Sequence, residues 1–459
     1  MKAKITLLTL LFLGLSIGFA QQNEEDMATL SIMTEYAKAK NYEAAYKPFM
    51  ELRQRNPKFN RAIYVYGEKI LDDKIEKSTG ADKVAYVNDL VKLWEERGTY
   101  FASKTPKGEY AAKACQLMYD NKDILNKTDA ELYECFDAAY KLDKATFTNP
   151  KSLYTYFSLM VELFDAGKKP AQDLFNKYDD VVEKIEGEIE NYSEKLNKLV
   201  EKEDAGTPLT SKEGRYKKSY SSYLRAYDKI SESVDSKLGK RANCENLIPL
   251  YQRDFETFKN DAVWLRRAVS RMFNKECTDD PLYIKLVKAY DETAPSADTK
   301  YFVAGLLLKE NKETEAISYF KQSFDLEKDD YKKGKLAYRI GTILKSKGRY
   351  GQARGYFRDA LKLNPSNGRP HLSIAAMYAA SANSCGDTTF NKRAVYWLAA
   401  DEARKAGRVD PTLKSAAAQS ATSYSAKAPS KSDIFSAANS GEVIKIGCWI
   451  GASVTVPSV

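Results

Sequence analysis

The sequence predicts an all-α fold built as an α-solenoid of short helix hairpins, interrupted by one long helical hairpin and closed by a small C-terminal β-hairpin. Three observations predict it. Apolar residues recur at three- and four-residue steps over most of the 459 positions, the period of an amphipathic helix. A pattern of small and aromatic residues about 34 positions long returns along the chain, which marks helical repeats. Strand composition is confined to Val443 to Ile450 and Ser453 to Val456, with Gly451 as the turn between them. A chain of this length exceeds one ordinary core, so an array or several domains is expected.

The first element is an export signal over residues 1–20. Lys2 and Lys4 give the positive start, Ile5 to Leu15 is almost unbroken apolar, and Gly18-Phe19-Ala20 offers a small-x-small cleavage site before Gln21. The run is shorter than the roughly 20 apolar residues of a membrane span. No cysteine follows it until Cys115, so a lipid anchor lacks its acceptor. The mature protein is expected to be periplasmic or secreted, with no membrane span. Loss of Lys2 and Lys4 takes the formal charge from +9 to +7. That is a mild excess for so long a chain, and no Lys/Arg cluster is dense enough to argue for nucleic acid.

Residues 21–169 are expected to form a first helical array. Asp26 to Phe59 carries the repeat frame with Tyr36, Ala45, Phe49 and Pro57, and Tyr66-Gly67 begins another unit before the pattern degenerates. Residues 170–240 behave differently. Leu174, Tyr178, Val181, Ile185, Ile189, Tyr192, Leu196 and Leu199 step by three and four, as do Tyr216, Tyr220, Tyr223, Tyr227, Ile230 and Val234. A polar link containing Gly206 and Pro208 separates them, so the segment reads as a long antiparallel hairpin with arms on the order of 40 Å. It either projects from the array or packs within it.

A second array is expected over 241–415, with an insertion at 381–393. Its clearest unit is Gly334 to Asn367, where Ile340-Gly341, Leu344, Ala353, Phe357, Ala360 and Pro365 follow in order. Gly341 and Ala353 fall where the two helices of a unit come closest, Phe357 is placed to fill the space between neighbouring units, and Pro365 stops the second helix. Ala297 to Asp330 fits the same frame through Ala304, Leu307, Ala316 and Phe320. Gly368 onward fits it through Ile374, Ala375 and Tyr378, with Ala399, Ala403, Ala406 and Pro411 resuming late. Residues 416–459 then read as a capping helix, a loop and a β-hairpin tail.

These units resemble the tetratricopeptide-repeat family, most clearly over residues 297–367. The resemblance implies stacked helix pairs whose first helices line a concave groove. On that face fall Tyr301, Leu308, Lys335, Tyr338, Thr342, Lys345, Arg369 and Leu372. Family members that clamp a C-terminal carboxylate use Lys and Asn at set positions, two of which hold Tyr338 and Thr342 here. A mixed aromatic and basic groove suits an extended peptide or a partner helix. The ending Ile446-Gly447-Cys448-Trp449-Ile450 is similar to endings of exported tetratricopeptide proteins of Gram-negative bacteria.

Six cysteines in an exported chain suggest disulfides, and six allow fifteen pairings. Cys115 closes one expected helix and Cys135 opens the next, and Cys244 and Cys277 have the same relation across a second hairpin. Cys385 and Cys448 remain, a pair that would tie the tail to the array. Free buried thiols are the alternative.

Catalytic and metal-binding patterns are weak. Gly14-Leu15-Ser16-Ile17-Gly18 has the form of a nucleophile elbow but lies within the signal. Gly348, Gly351 and Gly355 lack the spacing and the Lys-Ser/Thr of a phosphate loop. His371 is the only histidine and reads as a packing residue without triad partners. Asp325, Asp329 and Asp330 lack calcium-loop spacing, and Glu183, Glu186, Glu188 and Glu190 read as a solvated face. No cofactor or metal is expected. The reading is a non-catalytic scaffold or adaptor for protein partners, such as a subunit of an outer-membrane or envelope complex, with self-association open to it. The alternative is a carbohydrate- or peptidoglycan-binding envelope protein, and an envelope hydrolase with two unrecognised carboxylates stands third.

Overall fold

The computed structural model describes residues 24–458; the expected signal at 1–20 lies outside the described residues. The chain divides into two compact units, Met1–Val181 and Val182–Val459. The described residues are helical throughout, apart from their connections and one two-stranded sheet, so the all-α, repeat-built class holds.

The first unit contains α1 (24–38), α2 (Tyr42–Arg55), α3 (Ala62–Lys77), α4 (Gly80–Tyr100), α5 (Lys107–Asp120), α6 (Asp129–Leu142), α7 (Pro150–Asp165) and the start of α8 (Ala171–Asp204). The starts follow from side chains that satisfy the free backbone N–H groups of a helix end. Asn41 caps α2, Thr128 and Glu131 form a reciprocal capping box on α6, and Asn149 followed by Pro150 opens α7. Each apolar stripe then turns inward, giving a continuous core in which Phe49, Tyr64, Leu71 and Leu90 have no exposed surface. Arg53 is also buried, held by Glu96 at 2.7 Å and Asp89 at 2.9 Å, so the charge is paired rather than stranded.

The second unit begins within α8 and continues through α9 (Ser211–Leu238), α10 (Cys244–Phe258), α11 (Ala262–Asn274), α12 (Pro281–Thr293), α13 (Ala297–Lys309), α14 (Glu313–Leu326), α15 (Asp330–Ser346), α16 (Tyr350–Leu363), α17 (Arg369–Cys385), α18 (Thr389–Val409), α19 (Lys414–Ser425) and α20 (Lys431–Ala437). The pairs α13/α14, α15/α16 and α17/α18 are the repeat hairpins, and α19 packs on α18.

The α15/α16 pair shows why the repeat needs its small residues. A Cβ added at Gly341 would lie 2.7 Å from the ring of Phe357, which has no exposed surface. Phe357, placed by the repeat frame between neighbouring units, packs against Gly341 and Tyr338 of its own first helix, 5.7 Å from the Tyr338 ring. The turn into α16 uses Gly348 at φ 73°, with the Arg349 N–H returning to the Leu344 carbonyl at 2.9 Å, a glycine-dependent helix stop. Gly341→Ala is expected to destabilise the second unit by about 1 to 3 kcal/mol through overpacking, although alanine is the better helix former. A denaturation midpoint equal to or above that of the parent would show that the ring yields.

In the long hairpin, α8 and α9 meet through tyrosines. Tyr192 stacks on Tyr223 at 4.7 Å and lies 5.9 Å from Tyr220 and 6.0 Å from Tyr227. Of the expected apolar seams, Leu174, Val181, Ile185, Leu196, Tyr227 and Val234 are buried, while Tyr216 and Tyr223 are each 43% exposed. Rings with a polar tip can stack along a surface and keep the hydroxyl in water.

At the C-terminal end, residues 381–393 lengthen α17 and α18 and leave only a short link around Gly386. Strands β1 (Val443–Ile446) and β2 (Ala452–Thr455) pair antiparallel, with Ile444 opposite Val454. The first strand, expected to reach Ile450, stops at Ile446. The reason is local: Cys448 takes a left-handed φ of 51° and Trp449 turns inward. Its ring lies 5.4 Å from Tyr350 and 5.6 Å from Tyr378, and its indole N–H donates to Ser381 Oγ at 2.9 Å.

The cysteines form three disulfide-compatible pairs, Cys115 with Cys135, Cys244 with Cys277 and Cys385 with Cys448, with Cα separations of 5.8, 5.4 and 5.3 Å.

Candidate binding surfaces

The first-helix face of the second unit carries the residues that the repeat frame assigns to a ligand groove, and the structure treats them differently. Tyr301 is buried at 6% exposure, packed edge-on against Phe273 and Phe302 and against Phe320. Leu372 packs with Ala375, Ala403 and Ala421. Leu308 and Lys345 are half-buried, and Thr342 is exposed with its hydroxyl donating to the Tyr338 carbonyl. Lys335, Tyr338 and Arg369 alone come together, around a cavity of about 320 Å³.

What closes that cavity is α8. Its residues meet the array in order along the helix. Glu183 pairs with Arg266 at 2.7 Å and Arg267 at 3.0 Å on α11, and Glu186 pairs with Lys335 at 3.3 Å on α15. Glu190 feels Lys332, Ser193 hydrogen-bonds Tyr331, and Asn197 Oδ1 accepts from the Ser366 N–H at 3.0 Å. Val200 packs on Val409, and Asp204 lies 3.5 Å from Arg408. Positions 183, 186, 190, 193, 197, 200 and 204 alternate steps of three and four, so they form one stripe. The acids expected on a solvated face therefore do other work: Glu183 and Glu186 bind the array, and Glu188 is 8% exposed beside Lys184 at 2.7 Å. An acidic run on a helix reads as solvated until its distant partners are known.

Inside the cavity, Asp228 of α9 faces the same space as Arg369. Burial pushes its carboxyl above the ordinary range, Asp410 and Glu232 add to that, and Arg369 pulls it back. Asp410 is already committed, accepting from the N–H groups of Gly368 at 3.1 Å and Thr412 at 3.0 Å. Neither Asp228 nor Tyr331 is marked by a motif; both become visible only once α8 and α9 are laid on the array.

Two other polar groups are placed as structure. His371 Nδ1 lies 2.6 Å from Glu402, which also accepts from Lys405 at 2.8 Å. In the first unit, Lys177 is buried, bonded to Asp137 at 3.0 Å and to the Tyr156 hydroxyl, which itself donates to Asp137. Burial alone would raise the Asp137 carboxyl, but hydrogen bonds from Lys141, Tyr156 and Lys177 outweigh it and hold it at about 2. A carboxylate depressed on folding stabilises the fold above its unfolded value near 3.9, and that contribution fades as pH falls toward 2. The first unit is expected to lose stability between about pH 4 and pH 2, and Asp137→Asn should flatten that limb in denaturant titrations; an unchanged profile would count against it. Among the described residues no group of three or more His, Cys, Asp or Glu side chains is placed to hold a metal, and no helix is long and apolar enough to cross a membrane.

These features define a repeat-built helical protein whose distinguishing surfaces are helix faces. Residues 334–367 match the tetratricopeptide repeat family. No curated protein matches the sequence. Among solved structures the chain is similar to a human IFIT1 dimer with PPP-AAAA, at 13% identity over 78% of this chain and 76% of that one, with a TM-score of 0.31. It is also similar to yeast Tom70, at 13% identity over 88% and 77% of the two chains, with a TM-score of 0.27.

Proposed function

We propose that this chain is a non-catalytic scaffold that holds protein partners in an exported compartment, as an adaptor within an envelope or outer-membrane complex. The observation that carries the reading is the tetratricopeptide unit at 334–367, set in an array of helix hairpins whose side chains are spent on packing and on ion pairs. His371 is engaged by Glu402, and the most buried charges are matched by partners, which favours recognition over chemistry. The signal at residues 1–20 and three disulfide-compatible pairs support an oxidising location. The domain limits that accompany this reading are 21–169, 170–240, 241–415 and 416–459.

Affinity purification of the tagged full-length protein from the native envelope, with mass spectrometry, tests it. Recovery of the same few proteins in stoichiometric amounts is the expected result. Retention on sedimented cell wall with no enriched protein would replace the scaffold by the carbohydrate-binding alternative.

A further inference from the structure

We propose that the outward face of α9 is a docking surface for an acidic segment of a protein partner. The inference rests on the scaffold reading and gives the partner its chemistry. It starts from the stripe on α8, which lies on the array face that a repeat protein would otherwise offer to a ligand. Because α8 of the same chain already engages that face at α11, α15 and α18, less of it is free for a partner, and α9 is the arm of the hairpin left with a large exposed side.

Over residues 215–229 that side has a single sign of charge, and the exposed acid Glu232 at the next position of the line ends it. Arg215, Lys218, Arg225 and Lys229 are all exposed, and none has a carboxylate within ion-pair distance among the described residues. They sit at positions 215, 218, 225 and 229, with Ser222 completing the steps of three and four. The line therefore occupies one stripe about 21 Å long. The acids of the same stretch are turned away or committed: Asp228 lines the cavity, and Glu213 is held by the Thr210 cap and by Lys202 at 2.7 Å. Like charges at this spacing oppose the helix, and from Arg215 to Arg225 no carboxylate among the described residues lies on that line to relieve them. An anionic partner would.

Beside the cations stand Tyr216 and Tyr223, each 43% exposed. Both rings are held in place before any partner arrives, Tyr216 stacked on Tyr220 at 5.9 Å and Tyr223 on Tyr192 at 4.7 Å. Immobilised rings lose little entropy on binding, and tyrosine with arginine is the composition of protein-interface hot spots. The stripe has no Leu, Phe or Trp to insert into lipid. A straight basic helix face with fixed aromatic rings fits an acidic helix or extended acidic segment best.

The test uses the full chain and a fluorescein-labelled peptide of about 20 residues, rich in Glu with Leu at helical spacing, read by anisotropy. A peptide with Lys for every Glu, anionic phospholipid vesicles and alginate are run in parallel. The acidic peptide should bind, weakening about tenfold or more between roughly 50 and 300 mM salt. Reversing all four cations (Arg215→Glu, Lys218→Glu, Arg225→Glu, Lys229→Glu) should cost at least about tenfold and turn the preference to the Lys peptide. Thermal unfolding followed by circular dichroism guards against a misfolded variant. Tyr223→Ala, which keeps every charge, should weaken binding about fivefold. Equal binding of the acidic and Lys peptides, or no effect of the reversal, would overturn the proposal. Vesicles or alginate binding through the same residues while the peptide does not would overturn it in favour of a lipid or a glycan. If envelope purification recovers partners that bind the reversed chain as well as the parent, the scaffold reading survives and the α9 surface fails.

Discussion

Lys177→Met is expected to destabilise the first unit by about 3 kcal/mol, more than any surface substitution in the chain. The ammonium sits among three tyrosine rings, 4.4 Å from the centre of Tyr156, 5.7 Å from Tyr140 and 5.9 Å from Tyr133, and bonds Asp137 at 3.0 Å. Methionine fills a similar volume, so little cavity forms. The loss comes from Asp137, a buried carboxylate deprived of its buried cation. Removing one member of a buried pair costs about 3 to 5 kcal/mol because the other is left uncompensated. Lys141 remains 2.5 Å away but is 74% exposed, which places the expectation at the lower end. The sign of a second substitution separates charge from packing. In a Lys177→Met/Asp137→Asn chain the Tyr156 hydroxyl keeps an acceptor and no charge is buried, so about half or more of the loss should return. Hydrogen exchange across α6 and α7 reads the unit directly. Unchanged protection in the single variant, or no recovery in the double, would mean that the cluster is ornamental to stability.

The same cluster shows where the sequence was legible and where it was not. Repeat positions could be read because the residue type is demanded locally: Gly341 must lack a Cβ that would meet Phe357, and Gly348 must accept a positive φ. A helix end was legible through Pro365, and two of the cysteine pairs through the geometry of adjacent helices. Lys177 was not, because a lysine between Leu174 and Tyr178 looks like the solvated edge of an apolar stripe. Its burial depends on Asp137 and Tyr156 of two other helices. Asn197 and Glu183 were hidden for the same reason, since their partners lie 169 and 83 or 84 positions away. Tyr301 was misleading in the opposite sense: an aromatic residue at a groove position of the repeat frame is here part of the core. Local constraints on backbone and close packing are written in residue type, whereas long-range pairing of polar groups is written only in three dimensions.

Trp449→Ala is the second large effect, and it should be local. The indole contacts Tyr350 and Tyr378, lies 5.2 Å from the Arg354 guanidinium and donates to Ser381. Arg354 also donates to the neighbouring Ile450 carbonyl, and Ile446, Ile450, Val454 and Val456 are buried around it. Trp449 is half-buried, so its truncation should cost less than the roughly 3 to 5 kcal/mol of a fully buried ring, about 2 to 3 kcal/mol, drawn from the docking of the tail rather than from the helices beneath it. Amide exchange over 443–456 should accelerate on the order of a hundredfold while α15 and α16 keep their protection. Trp449→Phe retains the ring stack and forfeits only the hydrogen bond, so its loss should be nearer 1 kcal/mol. The Cys385–Cys448 link complicates the outcome, because a covalent tether limits how far a detached tail can travel. It also makes a clean cycle possible. In a chain carrying Cys385→Ser and Cys448→Ser, Trp449→Ala should release the hairpin to proteolysis outright, whereas with the link intact cleavage should stay slow. If removing the link alone frees the tail and Trp449→Ala adds nothing, the disulfide rather than the indole is what holds it.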